Sequence, residues 1–283
     1  MYEIGLSSCG RDTWEDMFRM YNQSAITAVE ISPKDDGYDA VNYKAIKRYA
    51  DQYNIKLWSF HLPFWPFSEI DLSNKDICKG TLEYFEELIK KASAIGIDKF
   101  TVHPSGEPIE VPEERIERMK CSRESLAKLA HIAKKYDAVI AVEDLPRSCL
   151  GNCSGEIMEL ISDSDDLMVC LDTNHLLFEN PADFIRKVGS RIITTHISDC
   201  DLINERHWLP GEGKLDWQAI LQALKDIDYK GPWLYEIGFK CPKSIIRDRD
   251  LTCDDFVRNA KEIFEGKPIT TFSTHIENLG MWV

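Results

Sequence analysis

The sequence predicts a single (β/α)8 barrel filling residues 1–283, and three observations carry that reading. Eight short runs rich in Val, Ile and aromatic residues alternate with longer stretches of helical period. Each run is apolar nearly throughout, the pattern of parallel strands covered on both faces. A carboxylate or an imidazole stands at or near the downstream end of most runs, which is the rim where a parallel barrel assembles its chemistry.

In chain order the strand candidates are YEIGL at 2–6, AITAVEI at 25–31, IKLWSFH at 55–61, KFTVH at 99–103, AVIAVE at 138–143, LMVCLD at 167–172, IITTH at 192–196 and WLYEI at 233–237. Helix starts are signalled between them. Thr13 with Asp16 and Thr252 with Asp255 have capping-box spacing, and Asn180 precedes Pro181, a cap followed by a proline in the first turn. Residues 82–95 put Leu82, Phe85, Leu88, Ile89, Ala92 and Ile95 on one stripe, with Glu and Lys left for the solvated face. Gly96, Gly189 and Gly266 mark helix stops. An open doubly wound sheet is disfavoured because no GxGxxG follows the first strand. The tail from Lys267 is the least regular stretch, and its Met281 and Trp282 are expected to pack on the barrel or on a partner subunit.

With 283 residues, 43% of them hydrophobic, the chain can build one large core without a second domain. A formal net charge of -14 repels a phosphate backbone over most of the surface, so a nucleic-acid partner is not expected. Nine cysteines without a CxxC pair fit a reducing compartment, hence the cytoplasm, and the Cys149/Cys153 spacing reads as incidental rather than as a zinc pair. A strand beginning at residue 2 leaves no room for a secretion signal, and no apolar run approaches a membrane span.

Read in order, the strand ends present Glu30, His61, His103, Glu143, Asp172, His196 and Glu236. Burying so many charges without a metal is costly. The first expectation is therefore a divalent ion, Mn, Mg, Co or Zn, on Glu143, Asp172, His196 and Glu236, a mix of oxygen and imidazole donors suited to those metals. Each residue has a blander alternative. The carboxylates can pair with arginines, His196 can be a core histidine, and Asp172 can cap the turn through Thr173 and Asn174.

Taken jointly, VEISP (29–33), FHLPF (60–64), VHPSG (102–106), VEDLP (142–146), LDTNH (171–175), THISDCD (195–201), HWLPGEGKLDW (207–217) and YEIGF (235–239) resemble the xylose isomerase-like TIM barrels. That superfamily joins sugar phosphate isomerases and epimerases to the type IV apurinic-site endonucleases, and the resemblance covers nearly the whole chain. It implies one divalent ion on Glu143, Asp172, His196 and Glu236, and substrate contact from His175, which matches the histidine of the family's DxxH pattern. His61 and His103 match histidines that hold further zinc ions in the endonucleases and lie in the substrate region of the epimerases. Glu205 and His207 resemble an Asp-x-His metal pair of the endonucleases, with Glu in place of Asp. In the sugar isomerases a similar histidine precedes PGEG, so His207 there shapes the loop or touches substrate.

Moving a proton between carbons beside a carbonyl needs an acid or base near the carbon and positive charge near the enediolate oxygens. A divalent ion chelated by the C=O and adjacent OH suits the second need. Glu143 and Glu236, from the fifth and eighth strands, suit the first as a catalytic pair. Among other substrate contacts, Phe64 and Trp65 are expected as a loop wall, whereas Trp58 and Phe60 belong to the core. Asp199 is expected to orient His196 or line the pocket. Arg147 and Lys240, with Arg206 and Lys214, lie just beyond strand ends where a substrate phosphate or carboxylate can be met, solvated surface charge being the alternative.

The leading expectation is a metal-dependent isomerase or epimerase acting through a metal-bound enediolate on a small sugar, a sugar phosphate or a polyol-derived ketone. An inosose-type dehydratase shares the enolate and differs in expelling a hydroxyl. The competing class is a zinc-dependent apurinic-site endonuclease, motivated by His61, His103, His175, Glu205 and His207 and weakened by the acidic surface. A barrel that binds a sugar without turnover is the third. The resemblance also implies a homodimer or homotetramer.

Overall fold

The computed structural model describes residues 1–8, 14–34 and 37–276. Eight strands, β1 (Ile4–Ser7), β2 (Ile26–Ile31), β3 (Lys56–His61), β4 (Lys99–Val102), β5 (Val139–Glu143), β6 (Leu167–Asp172), β7 (Ile192–His196) and β8 (Trp233–Tyr235), form one sheet. Its order is β7-β6-β5-β4-β3-β2-β1-β8, and the paired neighbours run parallel. Ile197, one residue past β7, closes the ring against β8: its N–H donates to the Leu234 carbonyl at 2.8 Å and its carbonyl accepts from Glu236 N–H at 3.3 Å. The chain is a (β/α)8 TIM barrel, and every expected strand lies in it.

The outer layer is α1 (Trp14–Asn22), α2 (Tyr43–Tyr53), α3 (Cys78–Ser93), α4 (Pro112–Lys134), α5 (Ser154–Leu160), α6 (Pro181–Val188), α7 (Trp217–Asp226) and α8 (Cys253–Phe264). The Asn180 side chain accepts from Ala182 and Asp183 N–H to start α6, and Thr252 with Asp255 forms the capping box of α8. Thr13, the cap expected for α1, lies outside the described residues. Gly96, Gly189 and Gly266 all take positive φ, where a Cβ would be strained. On α3 the predicted stripe is buried from Leu82 to Ala92, Ile95 being buried just past the helix end, and full burial of Phe85, Leu88 or Ile89 contributes about 1.5–3 kcal/mol each. No helix among the described residues is long and apolar enough to cross a membrane.

Two packed regions result. The larger joins the outward strand faces to the helices. A separate trio, Ala28, Trp58 and Leu234, lies inside the barrel, where Trp58 Nε1 donates to Thr194 Oγ1 of β7 at 3.1 Å. Ala28, Thr194 and Leu234 each stand two residues upstream of a charged strand-end residue, Glu30, His196 and Glu236. Because side chains alternate along a strand, this layer is the floor directly under the polar one.

The chain beyond β8 makes a small antiparallel ladder, β9 (Ile245–Arg247) with β10 (Ser273–His275). Its Arg247 forms a fully buried ion pair with Glu212 at 2.5 Å, and His275 Nε2 meets the Glu212 carbonyl at 2.5 Å. The tail thereby packs on the barrel through residues the sequence reading did not single out, while Met281 and Trp282 lie outside the described residues.

Candidate active site

Glu143, the last residue of β5, is the hub of the rim. Its Oε1 lies 2.8 Å from His196 Nδ1, and its Oε2 lies 3.1 Å from His61 Nε2 and 3.2 Å from His103 Nε2. His196 Nδ1 is also 3.4 Å from Glu236 Oε2. Glu143, Asp172, His196 and Glu236 each offer a ligand atom, all within 4.8 Å of one another. Strand geometry explains the convergence, since adjacent barrel strands point their terminal side chains toward a common axis.

These four residues fit a divalent cation. Asp172 Oδ1 accepts from Asn174 N–H at 2.7 Å, but its buried Oδ2 has no hydrogen-bond partner. A buried carboxylate oxygen left open beside two further carboxylates is the arrangement a bound cation satisfies. Three oxygen-donating residues and one imidazole suit Mn, Mg, Co or Zn.

The electrostatics diverge across the cluster. Burial pushes the Glu143 carboxyl up, but His196 and His103 more than offset this and hold it well below the usual carboxylate range. For Glu236, burial prevails with the charge of Glu143, so its carboxyl sits above the usual value despite His196. Burial works against protonation of His61, yet the Glu143 carboxylate raises it to about 9. Burial works against protonation of His196, yet Cys170 and the carboxylates of Glu236, Glu30 and Glu143 hold it well above its ordinary value. His103 is lowered, chiefly by burial.

A second donor group adjoins the first. His175, Glu205 and His207 offer ligand atoms within 4.8 Å of one another. His175 Nε2 lies 3.1 Å from Glu205 Oε2 and 3.6 Å from Asp172 Oδ2. Asn174, inside the LDTNH motif, positions this loop: its Oδ1 accepts from Arg206 N–H at 2.7 Å and from His207 N–H at 3.2 Å. His207 takes φ 50°, and its Nδ1 is 3.1 Å from the Glu236 carbonyl.

Both groups open into a cavity of about 900 Å³. Glu143, Glu236, His61, His103, His175 and His207 all line it. Phe64 also lines it, with its ring stacked on His103 at 4.4 Å. Arg147 lines the cavity but is clamped by Glu107 at 2.5 Å and Glu205 at 2.6 Å, so its charge is already matched by carboxylates. Other expected contacts are elsewhere. Trp65 is outside the lining, half exposed and packed on Phe67, and Lys240 is also outside it. Arg206 is buried against Asp201 at 2.8 Å.

Asp199 neither faces His196 nor lines the cavity. Its carboxylate accepts from Gly211, Leu215 and Cys200 N–H and from Trp217 Nε1, which folds the PGEG loop around it. A Cβ on Gly213 would lie 2.2 Å from Asp199 Oδ1, so the last glycine of that loop is required by close approach rather than by a phosphate. Lys34 and Glu107 line the cavity without having been singled out, and Cys149, weighed only as half of an incidental cysteine pair, lines it as well. The available signal for Glu107 was its position just beyond VHPSG at the end of β4.

A barrel whose C-terminal rim gathers carboxylates and imidazoles around one axis defines a class, the parallel barrel with a candidate metal centre. Residues 15–250 match the family described as xylose isomerase-like TIM barrel, and the chain belongs to that family. It is 33% identical over 118 residues to D-psicose 3-epimerase of Enterocloster bolteae, covering 40% of this chain and 38% of that one. It is 26% identical over 196 residues to inosose isomerase of Bacillus velezensis, covering 64% and 66%. The chain thus aligns with less than two thirds of either relative's length. Among solved structures, a D-tagatose 3-epimerase-like protein superposes with a TM-score of 0.78 at 24% identity, over 94% of this chain and 97% of that one, a likeness of fold.

Proposed function

We propose that this protein is a divalent-metal-dependent isomerase or epimerase of a small sugar or polyol-derived ketone. The observation that carries the reading is the pairing of Glu143 and Glu236, two carboxylates that share one candidate metal cluster and both face the cavity. The naming of two relatives as a ketose 3-epimerase and an inosose isomerase supports it. Held by Glu143, Asp172, His196 and Glu236, a divalent ion supplies positive charge beside the substrate's carbonyl and hydroxyl oxygens.

The side chains supply the rest. One of the two glutamates takes the proton from the carbon beside the carbonyl, the C–H electron pair becoming the C=C of the enediolate, and the other returns a proton. Return to the opposite face of the same carbon epimerises; return to the neighbouring carbon isomerises. His61, His103, His175 and His207 line the cavity and in this reading hold substrate hydroxyls, with Phe64 as an apolar wall. Because Arg147 is already matched by Glu107 and Glu205, it has little charge left to offer a substrate phosphate. Nine cysteines without CxxC spacing support a reducing compartment, and hence the cytoplasm, in this reading.

The test is a panel of ketoses, aldoses and inososes incubated in D2O with metal-loaded protein and followed by NMR. Deuterium entering at C2 or C3 is expected, and none entering any substrate refutes proton-transfer chemistry. Loss of water from an inosose in the same panel identifies the dehydratase variant.

One observation favours a second reading. His175, Glu205 and His207 form a further donor set, and His61 and His103 share Glu143, an arrangement compatible with several zinc ions cleaving a phosphodiester at abasic DNA. Metal counting separates the two: about one ion per chain supports the isomerase, and about three zincs support the endonuclease.

A further inference from the structure

Glu30 is fully buried near the end of β2, and it neither lines the cavity nor belongs to the four candidate ligands. It sits behind His196. Its Oε1 is 2.8 Å from His196 Nε2, while its Oε2 accepts from Ser59 Oγ of β3 at 2.8 Å and Thr101 Oγ1 of β4 at 3.0 Å. Three consecutive strands therefore fix one carboxylate, and that carboxylate fixes one imidazole. The opposite nitrogen, Nδ1, faces Glu143 and Glu236.

An imidazole can ligate a metal only through the nitrogen that carries no proton, so the partner of the other nitrogen decides which one is offered. We propose that Glu30 is a positioning residue for the metal centre: it holds the proton on His196 Nε2, aims the Nδ1 lone pair at the site and, as an anion, strengthens the ring as a donor. This rests on the reading of Glu143, Asp172, His196 and Glu236 as ligands. The competing account is a buried ion pair that only supports the fold. The two differ in what they predict for a folded protein with the charge removed.

Glu30→Gln removes the charge and keeps the shape. The amide oxygen can still accept from His196 Nε2, and the NH2 can donate to the Ser59 and Thr101 hydroxyl oxygens. The full chain is stripped of metal, and Co²⁺ and Mn²⁺ affinities are measured by calorimetry, with the visible spectrum of the Co²⁺ form and the melting of the metal-free protein alongside. Glu30→Gln is expected to weaken metal binding about 10–100-fold and shift the Co²⁺ bands, with metal-free melting close to wild type. Thr101→Val, which removes one hydroxyl donor to Glu30, is expected to weaken binding in the same direction by less, and it carries the test if Glu30→Gln does not fold. Wild-type affinity and spectrum in folded Glu30→Gln, or unchanged affinity in Thr101→Val should that variant alone fold, overturn the proposal. Wild-type protein that binds neither ion overturns the metal reading itself, and this proposal with it.

Discussion

Asp172→Asn separates metal binding from stability because it changes one atom. The amide oxygen can keep the bond from Asn174 N–H, and the group replaced, Oδ2, is buried without a hydrogen-bond partner. The neutral amide relieves repulsion from the neighbouring Glu143 and Glu236 carboxylates, and this is set against lost attraction to His175 at 3.6 Å. The metal-free variant should therefore melt at or above wild type. Metal present at 100 times its Kd stabilises wild type by about 2.7 kcal/mol. At about 2.1 cal/mol/K per residue, 283 residues unfold with an entropy of about 0.6 kcal/mol/K, so the added ion should raise the melting temperature by about 4–5 °C. If losing an anionic ligand weakens binding about 100-fold, the same ion concentration only matches the variant's Kd, contributes about 0.4 kcal/mol and shifts melting by less than about 1 °C. The assay is differential scanning fluorimetry of chelator-treated protein across a Mn²⁺ or Co²⁺ titration. A variant shift equal to that of wild type refutes the assignment of Asp172.

Glu143→Gln and Glu236→Gln should each slow deuterium exchange into substrate by about 10²–10⁴-fold, followed by NMR at saturating metal; exchange at the wild-type rate in either removes that residue from the acid/base pair. Asp255 tests the α8 cap by pH. Burial pushes its carboxyl up, but Arg249 and the bonds from Thr252 bring it down to about 2, so its contribution is present above the unfolded value near 3.9 and lost as pH falls through about 2. Asp255→Asn should cost about 1–2 kcal/mol in urea unfolding at pH 7, with the gap from wild type closing toward pH 2; a pH-independent gap contradicts the charge argument. Arg247→Met strands the buried Glu212 charge and should cost about 3–5 kcal/mol in urea unfolding, most of it recovered by adding Glu212→Met. A single variant as stable as wild type would show that this pair does not anchor the tail.

Much of the rim was legible because barrel chemistry lies at strand ends and strand ends are local events. A β-branched run followed by Glu143, Asp172 or His196 needs no partner to be recognised. The same logic failed where a charged residue's role is set by its neighbours. Arg147 has the sequence context of an anion contact, yet it is clamped by residues 40 and 58 positions away. Asp199 follows the candidate ligand His196 by three residues, but with the extended β7 closed off at Ile197 its carboxylate turns into the loop before α7. Trp65 adjoins Phe64 yet is not part of the cavity lining; it packs against Phe67 and stays half exposed.

The sequence by itself determined the barrel, its eight strands and the candidate ligand types at their ends, because apolar period, capping residues and strand termini are written within a few residues of one another. The tertiary structure decided which of those charges meet. Glu30 and His196 are 166 residues apart and come to 2.8 Å only when the sheet closes on itself. Closure also leaves Asp172 Oδ2 buried and open, and sets His175 beside Glu205. Those contacts depend on strand tilt and register around the whole ring, a property that no single segment of the chain encodes.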